Sequence, residues 1–586
     1  MLSRRSHWSL LLLACVAVLL KTVAVAAPNA QPISRGEELL ITNNDPGKYG
    51  GRIVVALRAE PKTLNPVTSL DQPSREVIGR VNADLLHINA ISQQAAPALA
   101  KSWKASKDGL HYTLNLRRGL RFSDGHPMGA DDVLFTFQVL LDEKTNSPQR
   151  DLLIIGGKPI SVRKLDDLTV AFDLSRPYAA AERLFDSMQI LPRHLLENNY
   201  REGTLAQAWT LTTPPSQIAG MGPYRLKEYV PGQKLVLERN PYYWKVDRKH
   251  QRLPYLDELI FLFVPSEDAQ VLRFEAGETD LISRLSADNY SALQKDAASR
   301  GFHLFDLGSG LDYNFLLFNL NSTVPKDAGD IARHQEWFRD VNFRQAVSAA
   351  IDRAAIVRLV FHGRGAPLWS STTPANKLWL DSSLPQAPRS VEHAKELLRS
   401  SGFHWDSDGA LLDKSGSPVQ FSILTSASNA QRSQMATLIQ DDLKQLGMKV
   451  QAVPLEFKSV LDRVFQTHNY DAAVMALGGG DVDPNSQINV WMSNGGSHMW
   501  DLGESKPATE WEAQIDGLMN QQLTTVNFKR RKQLYDRVQE IAAQELPLID
   551  LASPNVLVGA RDKIGNFQPA ILDHYTLWNV EQLYVK

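Results

Sequence analysis

The sequence is poor in cysteine and carries no excess of charge of either sign. Its single cysteine among 586 residues is Cys15, so a chain that loses its N-terminus can form no disulfide. Lysine and arginine number 63 against 65 acidic residues, which argues against a nucleic-acid-binding or polybasic membrane-surface protein. With 43% hydrophobic and 22% charged residues, the composition predicts a large globular protein rather than a disordered one.

Apolar runs long enough to span a bilayer are also missing. The run from Trp8 to Leu20 covers about 13 residues, short of the roughly 20 that a spanning helix needs. Two arginines precede it and small residues follow, which is the layout of a secretory signal peptide cleaved after Ala26. We therefore expect residues 1–26 to be removed and the remainder to be exported to the periplasm.

An alternative interpretation of the N-terminus is lipid anchoring at Cys15. The residues Leu12 to Cys15 are similar to a lipoprotein cleavage box. The chain after Cys15 stays apolar as far as Leu20, however, whereas a lipidated mature end is usually polar. The pattern therefore favours cleavage after Ala26 over anchoring.

Motifs for catalysis, metal binding and nucleotide binding are absent from the sequence. There is no Walker A loop, no GxGxxG, no G-x-S-x-G and no HExxH, and the closest of the 14 histidines, His393 and His404, are 11 residues apart. We predict no cofactor, no metal and no catalytic residue, and hence a binding protein rather than an enzyme. Two alternatives stay open, namely a secreted hydrolase and a ligand sensor that is not coupled to import.

The hydrophobic pattern predicts one continuous mixed α/β chain. In the N-terminal half we expect a strand over Arg52 to Leu57, then a helix, a hairpin and a second helix within residues 97–138, with Asp131 capping the second helix. In the C-terminal half the pattern of strand, helix, strand, helix, strand is typical of a wound sheet. The five segments are 419–424, 434–446, 448–453, 457–466 and 470–477.

A glycine- and aspartate-rich loop leaves the last of these strands. Ligands of wound sheets bind at the carboxyl ends of the strands, glycines allow a close approach of backbone, and two carboxylates can pair with a cationic group. A plain surface turn fits the same composition, and both interpretations stay open. The candidate ligand-binding residues of the loop are Gly478, Gly479, Gly480, Asp481 and Asp483.

Three tryptophans are further candidates for ligand contact. Trp369, Trp379 and Trp491 could stack on a sugar face or line a side-chain pocket, although large aromatic residues are more often part of the core. Of the three, Trp369 and Trp491 are included among the candidate ligand-binding residues.

Several stretches in a characteristic order carry a family resemblance. They resemble the extracellular solute-binding proteins of family 5, which are the dipeptide-, oligopeptide- and nickel-binding receptors of ABC importers. The stretches are Ala96 to Trp103, Lys107 to Gly119, Arg121 to Gly125, Ala130 to Val133, Gly220 to Leu226, Glu238 to Trp244, and Phe343 to Arg353.

The resemblance implies an α/β fold of two lobes, the type II periplasmic-binding-protein fold of the large cluster, with an extra subdomain in the first lobe. Lobe 1 would comprise residues 27–308 plus 548–586, with the extra subdomain at about 75–210, and lobe 2 would comprise residues 309–547. The chain would cross between the lobes near residues 305–312 and again near 545–552.

The resemblance also implies capture of a small ligand, a peptide before other classes, and its delivery to a membrane permease by a monomeric receptor. Family receptors that bind a free α-amino group use an aspartate four residues before the proline of this loop. That position is Gly480 here and Asp481 comes one residue later, so either Asp481 takes the role or the ligand has no amine there. Arg344, Asp352 and Arg353 are interpreted as scaffold.

Overall fold

The computed structural model describes residues 32–586 except 324–328, 479–480 and 573. The signal peptide expected at residues 1–26, Cys15, and the candidates Gly479 and Gly480 lie outside the described residues. Among the helices that are described, none combines the length and the apolar character needed to cross a bilayer.

The strands are numbered in chain order within the described residues. They are β1 (Leu40–Ile41), β2 (Arg52–Leu57), β3 (Leu86–Ile88), β4 (Ala95–Pro97), β5 (Ala100–Ala105), β6 (His111–Leu116), β7 (Ile154–Ile155), β8 (Lys158–Pro159), β9 (Ser161–Asp166), β10 (Thr169–Asp173), β11 (Tyr224–Val230), β12 (Lys234–Arg239), β13 (Lys245–Val246), β14 (Glu258–Phe263), β15 (Leu281–Ile282), β16 (Phe302–Ser309), β17 (Tyr313–Phe318), β18 (Gly365–Pro367), β19 (His404–Trp405), β20 (Leu411–Leu412), β21 (Gln420–Ser426), β22 (Lys449–Leu455), β23 (Ala472–Leu477), β24 (Leu548–Arg561), β25 (Ile564–Gly565) and β26 (Tyr584–Val585).

The α-helices are numbered in the same way. They are α1 (Gln72–Val81), α2 (Ala130–Leu141), α3 (Ala181–Ser187), α4 (Arg193–Arg201), α5 (Glu267–Glu275), α6 (Ala287–Gln294), α7 (Ile331–Arg339), α8 (Val341–Ala350), α9 (Arg353–Val360), α10 (Val391–Ser400), α11 (Ala430–Lys444), α12 (Phe457–Asp462), α13 (Ile488–Trp491), α14 (Glu510–Thr524) and α15 (Phe528–Glu545).

A 12-stranded sheet runs through the molecule, and its long strand β24 belongs to both halves. The C-terminal part of β24 pairs with β15 and β16, and its N-terminal part pairs with β17 and β18. The chain therefore passes between the halves at two adjacent places, the turn from Ser309 to Tyr313 and the middle of β24 near Pro554.

Two large apolar cores lie on either side of this junction. The first is built mainly from residues between Ile53 and Leu281 together with the C-terminal residues 560–583. The second is built from residues between Tyr313 and Ala552. We call the two parts of the molecule the first and the second unit.

The N-terminal predictions are partly wrong. The expected strand over Arg52–Leu57 is confirmed, but the expected helix near residue 100 is the strand β5, which pairs antiparallel with β6. Helix α2 begins after Gly129, and Asp131 lies in its first turn without capping it. The carboxylate of Asp132 instead accepts from the N–H of Gly129 at 3.0 Å, because a third-position acid reaches back to the N-cap.

The wound unit of the C-terminal half is confirmed. Strand β21 pairs parallel with both β22 and β23, and α11 buries the predicted face of Met435, Ile439 and Leu443 against them. Gly447 follows the helix with φ of +81°, a left-handed conformation that glycine adopts without strain. The carboxyl end of β23 therefore opens into the predicted loop.

Candidate functional site

The predicted loop lies between the two units. Its strand β23 belongs to the second unit, and Gly478 leaves that strand with the carboxylate of Asp312 3.3 Å from the place where a Cβ would stand. Beyond the loop, Asp483 caps the short helical turn Pro484–Gln487 by accepting from the N–H of Asn485 at 2.9 Å. The loop is thus held at both ends next to the segment where the chain crosses between units.

Asp483 is a buried structural acid. Its side chain is 6% exposed and forms a two-bond ion pair with Arg531 of α15, at 2.7 and 2.6 Å. Burial acts to raise the pKa of Asp483, but Arg531, with smaller contributions from Arg183 and the N–H of Asn485, outweighs it and holds the pKa below the usual value. Arg531 in turn lies over the ring of Trp379 at 4.8 Å. Asp483 and Trp379 therefore stabilise the second unit.

Asp481 is the accessible acid of the loop. Its side chain is 37% exposed and pairs with Arg183, which comes from α3 in the first unit. Burial raises the pKa of Asp481 and the guanidinium of Arg183 opposes that rise. Arg183 also donates to the backbone carbonyl of Gln93 at 3.4 Å and lies 3.5 Å from Asp483. A cation from one unit is therefore held by the loop of the other.

Further contacts join the units around this ion pair. The side chain of Gln93 donates to the carbonyl of Ala375 at 2.9 Å, and the N–H of Ala179 donates to the carbonyl of Leu523 at 2.8 Å. Asn485 donates to the hydroxyl of Tyr178. The first-unit groups in these contacts come from residues 93–183, and a second set of contacts joins Asp288 and Gln294 of the first unit to His362 and Arg364 of the second.

The space beside the loop is small in this conformation. A cavity of about 20 Å³ is bounded by the loop and by hydroxyl and amide side chains of residues 371–376, which is room for one or two waters. Thr373 donates to the carbonyl of Gly310 at 2.7 Å and Asn376 to the carbonyl of Val482 at 2.7 Å. All of these groups belong to the second unit; the closure of the two units is shown instead by the hydrogen bonds of Gln93, Tyr178 and Ala179 across the interface.

A larger cavity of about 750 Å³ lies elsewhere, and all its lining residues belong to residues 40–245 and 568–582. Its walls include Asp84 and Asp186; burial and the charge of Asp186 raise the pKa of Asp84 well above its usual value. A ligand in this cavity would contact one unit only. Because closure is favoured only by contacts made in the closed state, we take the loop between the units as the candidate site.

Neither predicted tryptophan lines the small cavity beside the loop. Trp369 lines a separate cavity of about 460 Å³ within the second unit, where its indole N–H donates to the carbonyl of Ala387 at 3.2 Å. Trp491 is buried in the second core, with its ring 6.0 Å from that of Trp500. The structure thus brings together Gly478, Asp481 and Asp483 but neither tryptophan.

The arginines interpreted as scaffold have structural partners. Arg344 donates to the carbonyls of Phe338 and Glu545 at 2.6 and 2.8 Å. Arg353 donates to the carbonyls of Leu368 and Asp550, both at 2.8 Å. The two arginines lie on separate helices, α8 and α9, because Asp352 caps a new helix.

Comparison with known proteins gives consistent matches over most of the chain. The family profile described as bacterial extracellular solute-binding proteins, family 5 Middle, matches residues 94–499. A probable ABC transporter-binding protein from Deinococcus radiodurans is 28% identical over 566 residues, covering 93% of each chain. The oligopeptide-binding protein AppA from Bacillus subtilis is 25% identical, covering 87% of each.

A solved structure shows the same fold. The crystal structure of NikA from Brucella suis in complex with Fe(III)-EDTA superposes with a TM-score of 0.75 at 21% identity, covering 92% of this chain and all of that one. The α/β two-lobed architecture expected from the sequence is thereby confirmed.

Proposed function

Because the chain belongs to the bacterial extracellular solute-binding proteins of family 5, a family of ligand carriers that serve ABC importers, we propose that it captures a small peptide between its two units and delivers it to an import permease. The observation that carries the choice of ligand is the pairing of Asp481 with a cation across the interface. A protonated α-amino group is also a cation with several N–H donors, so it suits the same carboxylate. The relative AppA is named as an oligopeptide-binding protein.

The two acidic residues of the loop have different roles, one structural and one in ligand binding. Asp483 is enclosed and doubly bonded to Arg531, so it is committed to the scaffold. Asp481 is more exposed and its partner belongs to the other unit, so opening of the units frees it. Asp481 therefore binds the amine, one residue after the position that other receptors of the family use.

The ligand amine takes the place of Arg183 at Asp481, and Arg183 keeps its other partners. When the amine occupies Asp481, Arg183 keeps the carbonyl of Gln93 and the nearby carboxylate of Asp483. The ammonium group replaces the guanidinium as the partner of Asp481 and adds one positive charge to the interface, while Arg183 stays beside Asp483. Most of the affinity must then come from other contacts of the peptide, such as main-chain hydrogen bonds and burial of its side chains.

The two chain segments that connect the units could act as a hinge on which the units close. We assign lobe 1 to residues 27–308 plus 548–586, with the extra subdomain at about 75–210, and lobe 2 to residues 309–547. The turn from Ser309 to Tyr313 and the middle of β24 lie side by side, which supports a hinge at these two segments. The contacts of residues 93–183 with the second unit then form on closing.

We further propose that the receptor is exported by cleavage after Ala26, acts in the periplasm as a monomer and catalyses no reaction. Basic residues, a short apolar run and small residues at the N-terminus support the export signal.

The test compares matched peptides on matched variants. Asp481→Asn keeps the shape of the side chain and removes its charge, so a bound ammonium loses its counter-ion whereas Arg183 retains other partners. We expect roughly tenfold weaker binding of a free tripeptide in calorimetry, about 1.4 kcal/mol, and unchanged binding of its N-acetylated form. Arg183→Gln removes the competing cation and should strengthen binding of the free tripeptide.

Equal weakening of the free and the acetylated peptide by Asp481→Asn would contradict the amine assignment. Absence of any peptide binding by the wild-type chain would contradict the choice of ligand class.

A further inference from the structure

Three ionisable side chains converge in the second unit, away from the candidate site. They are His498, Glu504 and Glu512, and one ligand-type atom from each lies within 4.8 Å of the other two. The Nε2 atom of His498 is 3.5 Å from a carboxylate oxygen of Glu512 and 4.0 Å from one of Glu504. Their side chains are 0%, 3% and 3% exposed respectively, so the cluster is fully enclosed.

The cluster has more negative charge than its visible partners can balance. Among the described residues, His498 is the only basic side chain within ion-pairing distance of either glutamate. Neither carboxylate oxygen of Glu504 nor the Nε2 atom of His498 makes a well-aligned hydrogen bond, and besides these residues the neighbour of Glu504 is a further acid, Asp501. Because an unpaired carboxylate in the interior costs several kcal/mol, either protons or a metal cation must complete the cluster.

The surrounding hydrogen bonds orient these groups toward one point. The Nδ1 atom of His498 faces the carbonyl of Val490 at 3.1 Å, so the proton of a neutral imidazole lies on Nδ1 and the lone pair of Nε2 points into the cluster. Glu512 accepts from the indole N–H of Trp500 at 3.0 Å and from the N–H and hydroxyl of Thr509 at 2.9 and 2.7 Å. Such outer hydrogen bonds are typical of metal ligands.

We propose that His498, Glu504 and Glu512 bind a divalent transition-metal ion of the zinc class. Metal–ligand bonds of about 2.0–2.2 Å in a tetrahedral arrangement place ligand atoms about 3.3–3.6 Å apart, which matches the separation of His498 from Glu512 and needs a small movement of Glu504. The imidazole nitrogen favours zinc over magnesium or calcium, which prefer oxygen ligands alone.

The bound ion would tie the segment around His498 to the start of α14. Trp500, one of the largest fully buried side chains, lies between these two elements and within 3.9 Å of the His498 ring. The site is therefore structural, and its occupancy should stabilise the second unit without contacting the ligand.

The competing explanation is a cluster held together by protons. Burial, with the nearby acids Asp501 and Glu512, raises the pKa of Glu504 to about 8. A protonated Glu504 beside a protonated His498 would also remove the excess charge. The two explanations differ in their response to zinc.

The test uses the complete exported chain, purified without a histidine tag, stripped with dipicolinate and reloaded with zinc or with magnesium. We expect a single zinc ion per chain by elemental analysis, a higher melting temperature with zinc and no change with magnesium. Glu504→Gln keeps the volume of the side chain and should weaken zinc binding by roughly 100-fold or more, with loss of the zinc-dependent shift. His498→Gln should do the same.

His334→Gln is the matched control. His334 is buried and pairs with Asp471 at 2.8 Å, with no second histidine or glutamate beside it among the described residues, so its loss should lower stability yet leave zinc binding intact. Cobalt loading adds a spectroscopic readout, since visible absorption bands should appear in the wild type and the control but not in Glu504→Gln. Failure of the wild type to take up zinc, or full retention of zinc by Glu504→Gln, would overturn the proposal in favour of protons.

Discussion

Removing the charge of Asp483 should destabilise the second unit strongly. Arg531 is only 5% exposed and makes two hydrogen bonds of 2.6 and 2.7 Å to this carboxylate. Asp483→Asn keeps the cap on Asn485, since an amide oxygen can accept that bond, and removes the ion pair with Arg531 together with the longer contact to Arg183 at 3.5 Å. Breaking a buried pair by neutralising one partner costs about 3–5 kcal/mol. Arg531 retains its hydrogen bond to the side chain of Gln522 at 2.9 Å. The expected loss of unfolding free energy is therefore at the lower end of this range, about 3 kcal/mol.

The assay is urea unfolding followed by tryptophan fluorescence, with Glu540→Gln as the matched control. Glu540 lies on the same helix and pairs with Arg537 at 2.7 Å, but both side chains are at least 40% exposed. An exposed ion pair contributes about 0–1 kcal/mol to stability. The control should therefore unfold at nearly the same urea concentration as the wild type. A loss below about 1 kcal/mol for Asp483→Asn, or a loss equal to the control's, would refute the structural role of Asp483.

Two further predictions concern pH and packing. Burial raises the pKa of Asp550 to about 7, so the folded state holds a proton that the unfolded state releases, and stability should fall as pH rises from about 4 to 7. Asp550→Asn should flatten that slope in unfolding curves measured across this range, and an unchanged slope would contradict it. Gly222→Ala should abolish soluble protein, because a Cβ there would lie 2.4 Å from the carbonyl oxygen of Arg80, whereas Gly496→Ala, with nothing within 4 Å, should express like the wild type.

The hydrophobic pattern was enough to predict the wound unit of the second lobe. The strand, helix and strand periods there are regular, and the observed elements differ from the predicted ones by a few residues at their ends. The error at β5 has a physical cause. Residues Ala100–Ala105 contain helix-favouring alanine and lysine, but pairing with β6 decides their conformation.

The loop acids could be located from the sequence, but their roles could not. Asp481 and Asp483 have the same side chain two residues apart, and their difference arises from partners far away in sequence. Arg183 lies 298 residues before Asp481, and Arg531 lies 48 residues after Asp483. No local pattern marks either arginine, since each sits on an ordinary helix. The cluster around His498 was not predicted from the sequence either, because its spacings of six and eight residues match no known metal motif.

The pairing of Asp481 with Arg183 limits what the candidate site can contribute to affinity. A ligand amine that replaces the guanidinium exchanges one charge-assisted contact for another, so little net energy comes from the carboxylate itself. A ligand without an amine leaves Arg183 paired with Asp481 and gains nothing from the carboxylate, so the exchange favours ligands that carry an amine. In this arrangement Asp481 adds a modest preference for ligands that carry an amine, while the rest of the interface determines most of the affinity. A receptor for peptides of varied sequence needs that division, since the amine is the feature that its ligands share.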